Sequence, residues 1–84
     1  MTVVYPWRAD GPGRATLGVV EDPARARRLA GQCLLSGVAE TAVIEQAVTD
    51  LGAQTLLGGY FRTGQRWRGR VESGGRVRWR RAVP

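Results

Sequence analysis

Two runs in which apolar residues recur at every second position, TVVYPWR and RATLGVVE, flank ADGPG, a cluster of turn-forming residues. With Arg8 opposite Arg14 across a five-residue loop, Val3, Tyr5 and Trp7 share a face with Ala15, Leu17 and Val19. Register and burial then agree, and the pattern predicts a hairpin. Pro6 has no N–H to give a ladder, which predicts that the first strand lies at a sheet edge.

The period then changes. Asp22 before Pro23 reads as an N-cap with proline at the first helical position. Ala26, Leu29, Ala30, Cys33 and Leu34 recur at helical spacing opposite Arg25, Arg28 and Gln32, and Ser36-Gly37 reads as the stop. Arg25, Arg27 and Arg28 lie early in this helix, against its dipole, and read as a solvated face. The stretch ETAVIEQAVTDLGA fits two periods. Ile44, Ala47, Val48 and Leu51 suit a helix, whereas Ala42, Ile44, Gln46 and Val48 suit one face of a strand. The β-branched pair Val43-Ile44 favours the strand.

Residues 55–83 return to period two, broken by glycine turns. A Thr63-Gly64 loop pairs Tyr60 with Trp67, and a Ser73-Gly74-Gly75 loop pairs Val71 with Val77 and Gly69 with Trp79. Both registers put Leu56, Tyr60, Trp67, Val71, Val77 and Trp79 on one face, with the Trp79 ring covering Gly69. The other face must carry Arg66, Arg68, Arg70, Arg76, Arg78 and Arg80, with Leu57 and Phe61 nearby and Glu72 as the local counter-charge. The predicted fold is α+β: an antiparallel sheet with one main helix packed on its apolar face, in the order β-β-α-(β or α)-β-β-β. The 84 residues make one small domain, 1–84.

Gly59-Tyr60, Thr63-Gly64, Trp67, Arg70 and Val77-Arg78-Trp79 resemble the C-terminal part of small, functionally unassigned proteins of high-GC actinobacteria. The resemblance spans residues 59–79, and Phe61 stands where that group carries an acidic residue. It implies a source class and no mechanism.

Charge sharpens the picture. All 13 basic residues are Arg, Lys, His and Asn are absent, and the net charge is +6. Arginine binds phosphate through a planar fork, so the cationic face is expected to meet a nucleic-acid backbone, DNA or RNA, with Phe61 available for stacking. The alternative is an accessory regulatory or protein-interaction module with an acidic protein partner, the arginines being otherwise only a solvated surface. Catalysis is not expected: without His or Lys there is no Ser-His or Cys-His pair, P-loop lysine or Schiff base, and one Cys cannot build a zinc site. GPGRATLG lacks the third glycine of a dinucleotide fingerprint, and the seven carboxylates are scattered. No cofactor or metal is expected. Cys33, on the apolar helix face, reads as a small core residue. The lone cysteine, the absence of a signal-peptide pattern and of a long apolar run predict a cytoplasmic protein without a membrane span.

Overall fold

The computed structural model describes residues 2–49 and 60–82. It is α+β: a five-stranded antiparallel sheet with one helix packed against it. In chain order the elements are β1 (Thr2–Gly11), β2 (Arg14–Val20), α1 (Pro23–Leu35), β3 (Thr41–Thr49), β4 (Phe61–Val71) and β5 (Val77–Ala82). The strands lie side by side as β2-β1-β3-β4-β5. The two-way stretch after the helix is thus a strand. No helix among the described residues is long and apolar enough to cross a membrane.

Local chemistry sets the helix ends. The Asp22 side chain accepts from the Ala24 N–H at 3.0 Å, and Pro23 opens the first turn. At the other end the Ser36 N–H donates to the Gln32 carbonyl, and Gly37 takes φ 80° to leave the helix. Between the caps, Ala26, Ala30 and Leu34 are buried against Trp7, Ala9, Ala42 and Ile44. Alanines on both sides let helix and sheet approach closely, while Tyr5, Trp67, Val77 and Trp79 pack around the margin.

The last hairpin follows its turn residues. Glu72 and Arg76 close it through the Glu72 N–H to the Arg76 carbonyl, and Gly75 sits at φ 77°, a conformation without steric cost only for glycine. Val71 pairs with Val77 and Gly69 with Trp79, and a Cβ on Gly69 would lie 2.5 Å from the Trp79 ring. A second such pair was not anticipated: Trp7 lies directly across Gly18, whose Cβ would fall 2.5 Å from the indole nitrogen.

That second pair corrects the first hairpin. Gly11 pairs with Arg14 around Pro12-Gly13, so the loop has two residues and the β2 faces are exchanged relative to expectation. Leu17 and Val19 turn to the side away from the helix, Leu17 being 68% exposed, and Val20 packs against the core. Had Leu17 faced inward, the indole would have met side chains where it now meets Gly18.

β1 is likewise interior rather than an edge. Its pairing with β3 runs from Thr2 to Val4 and resumes at Trp7, skipping Tyr5 and Pro6, so the missing proline N–H falls in a break of the ladder. The neighbouring ladder shifts at the same level. Glu45 pairs with Arg66 but Ala47 with Arg62, leaving Thr63, Gly64 and Gln65 opposite Gln46. Thr63-Gly64 is therefore an irregularity inside β4, with Gly64 at φ 95°, and not a hairpin turn; Tyr60 does not pair with Trp67. Side chains bridge the defect. Gln46 Nε2 donates to Tyr5 Oη at 3.3 Å, and Thr63 Oγ1 donates to Gln46 Oε1 at 2.9 Å. Leu56, Leu57 and the strand start expected before Tyr60 lie outside the described residues.

The two tryptophan–glycine pairs make a prediction with opposite signs. Gly18→Ala or Gly69→Ala forces a methyl into an indole and is expected to lower stability by about 1–3 kcal/mol. Gly31→Ala, in the helix with nothing within 4 Å of the new Cβ, is expected to raise it by about 0.5–1 kcal/mol. Urea unfolding of the three variants tests both signs.

Candidate anion-binding face

The helix covers one side of the sheet, and the registers determine what the other side presents. One transverse row of paired residues runs Leu17, Arg8, Val43, Arg68, Arg80 from β2 to β5. A neighbouring pair, Arg70 with Arg78, lies one step along the same face. Arg76 follows at the same parity beside the turn, and Arg66 is paired with Glu45 on β3 and Ala82 on β5. Arg66, Arg68, Arg70, Arg78 and Arg80 thus share one side of β4 and β5, while Arg76 lies in the turn just before β5. Arg81 has the other parity and donates to Gln65 at 2.6 Å.

Phe61 does not join them. It pairs with Val48 beyond the irregularity, at the parity opposite to Arg62, and is 80% exposed. The bulge is the reason: β4 continues through Thr63-Gly64 instead of folding back there, so Phe61 is carried to the far end of β4.

Charge on this face is poorly compensated. Arg78 meets Glu72 at 3.0 Å, both groups about half exposed. Arg66, Arg68, Arg70, Arg76 and Arg80 have no ion pair among the described residues. The Arg66 Nε is buried with no hydrogen-bond partner. Cations held directly across from one another, as Arg68 is from Arg80, cost a fraction of a kcal/mol each. The hollow between them measures about 930 Å³ and is walled by Arg68, Arg70, Arg78 and Arg80 around Gly69 and Val43. Planar forks converging from two strands onto one hollow suit an anion with several oxygens.

A second part of the face escaped the sequence reading. Over β1, β2 and β3 lies a groove of about 670 Å³ lined by Pro6, Leu17, Val19, Val43, Tyr60 and Arg66, among others. Arg62 reaches into it, pairs with Glu45 and sits 5.3 Å from the Tyr60 ring centroid. Arg8 is held by Asp10 at 2.6 Å. The period-two pattern held a signal for Leu17, but only with the shorter first loop. For Tyr60 and Arg62 the local pattern pointed to a hairpin that does not form.

No protein-family model, curated protein or solved structure matches the chain.

Arg68→Gln with Arg80→Gln removes a facing pair without breaking an ion pair among the described residues or touching the helix-side core. Stability is expected to stay level or rise by about 0.2–0.5 kcal/mol, as repulsion is relieved. Added salt should stabilise the native chain more than this double variant, because screening acts on the same repulsion. Thermal unfolding at two ionic strengths measures both effects.

Proposed function

We propose that the protein is a non-enzymatic nucleic-acid-binding protein that grips the phosphate backbone with the arginine face of β4 and β5. The observation that carries this reading is the cross-strand arginine ladder, Arg68 opposite Arg80 and Arg70 opposite Arg78, in which Glu72 pairs with Arg78. A sheet that holds like charges in register bears a repulsion that a polyanion relieves. Released counterions add a salt-dependent driving force. A polymer with regularly spaced phosphates meets several forks at once, which a scattered acidic protein surface matches less well.

The reading includes no bond-making step. The candidate face carries arginines and few carboxylates, and arginine stays protonated, which suits it to holding an anion and not to moving protons. Contacts to the backbone position a strand without reading its sequence, so binding is expected to depend little on base order.

Fluorescence anisotropy with labelled oligonucleotides at several salt concentrations tests this. Binding should weaken steeply with salt, and Arg68→Gln with Arg80→Gln should reduce the slope of log affinity against log salt by about 1–2. A native chain that ignores oligonucleotides at low salt would rule the proposal out and leave an acidic protein as the partner to seek.

A further inference from the structure

The face has two chemically distinct halves, and their arrangement narrows the class of nucleic acid. Along the row Leu17, Arg8, Val43, Arg68, Arg80, the first three strands set Leu17 and Val43 on either side of an arginine whose charge Asp10 pairs, and β4 and β5 carry two arginines without an ion pair among the described residues. Strands lie about 4.8 Å apart, so the row spans roughly 19 Å. Its more apolar half is the groove of Pro6, Leu17, Val19 and Val43, which the Arg8–Asp10 and Arg62–Glu45 ion pairs also line and where Arg62 lies over the Tyr60 ring. Leu17, on the edge strand β2, is two-thirds exposed and open to a ligand. Where the halves meet, Arg66 lines the groove and its Nε is buried without a partner.

From this we propose that the ligand is a single strand, its phosphates on the β4–β5 arginines and its bases laid in the Leu17–Tyr60 groove. This rests on the backbone-binding reading above and deepens it. A duplex stacks its bases inside and shows a flat surface only phosphate and sugar, which would leave the apolar half idle. A single strand offers charged backbone on one edge and unstacked bases on the other. Tyr60 supplies a ring for a base face. Arg62, paired with Glu45, already lies over one face of that ring, so a base stacks on the other face or takes the place of the guanidinium. Arg66, which lines the groove at the boundary between the two halves, adds a guanidinium there. Charge complementarity selects the strand's edge, and the apolar groove selects accessible bases.

The test uses three labelled probes of about 12 nucleotides, within the range one small domain spans: a single strand, an abasic single strand with the same phosphates, and a duplex. The native chain should bind the base-bearing strand about tenfold or more tighter than either other probe. Tyr60→Ala and Leu17→Ser should each remove a large part of that preference while leaving affinity for the abasic strand, and the salt slope, unchanged. Leu17 is exposed, so its variant keeps the fold even if Tyr60→Ala does not, and circular dichroism verifies both. If all three probes bind alike and the variants match the native chain, the backbone reading stands and the single-strand inference is overturned. If none of the probes binds, both fall together.

Discussion

A tryptophan ring can lie flat over its cross-strand neighbour only where that neighbour has no Cβ to hold it off. Here that condition is met twice, by Trp7 across Gly18 and by Trp79 across Gly69. The two pairs sit on the helix side of the outer strands' ladders and lock β2 to β1 and β5 to β4. A slip of one residue in either ladder would put a side chain beneath an indole and reverse every inward and outward position of the outer strand. The outward set, Leu17 and Val19 at one end and Arg78 and Arg80 at the other, is therefore a consequence of how two rings are packed on the inside.

Between these locked edges the sheet carries a line of irregularity. It crosses β1 at Tyr5-Pro6, β3 at Gln46 and β4 at Thr63–Gln65. Backbone ladders are broken at this level, and the Tyr5, Gln46 and Thr63 side chains restore part of the hydrogen bonding across it. The parity of β4 survives because its two extra residues make a full pleat, so Arg62 and Arg66 stay on one side, facing Ala47 and Glu45. This is why a strand with a glycine-marked bulge delivers Arg62 and Tyr60 to the apolar groove and leaves the Arg66–Arg70 ladder intact. The Tyr5 and Trp67 rings, 6.5 Å apart, pack beside the same line on the helix side.

The arginine ladder is affordable for the same reason. Each facing pair costs a few tenths of a kcal/mol, whereas the packing of a buried indole contributes several. The inner face therefore holds the outer one in an arrangement the outer one would not choose. A ligand that neutralised the ladder would bind the folded sheet more tightly than the unfolded chain, since only the sheet brings Arg68 and Arg70 next to Arg80 and Arg78. Binding and stability are linked through that difference.

The helix with its Asp22 and Gly37 ends, the Ser73–Gly75 hairpin, Trp79 over Gly69, and the five strand arginines Arg66, Arg68, Arg70, Arg78 and Arg80 on one side were all legible along the chain. Each depends on residues only a few positions apart, and a capping side chain, a positive-φ glycine or an alternating pattern acts over that distance. The first hairpin's register was not legible, because ADGPG admits more than one loop and the choice fell to an indole needing Gly18 beneath it. The place of β1 inside the sheet was hidden for a related reason: Pro6 excludes an N–H from the ladder but cannot reveal that β3 breaks its pairing at the same level. Phe61 and Tyr60 were misplaced because Thr63-Gly64 suits a tight turn and a bulge equally, and only β3, pairing continuously along β4, selected the bulge. Composition and local pattern thus determined that a cationic face would exist. Contacts between residues far apart in the chain decided that it would adjoin an apolar groove, because strand order and register are settled by which side chains can be buried together.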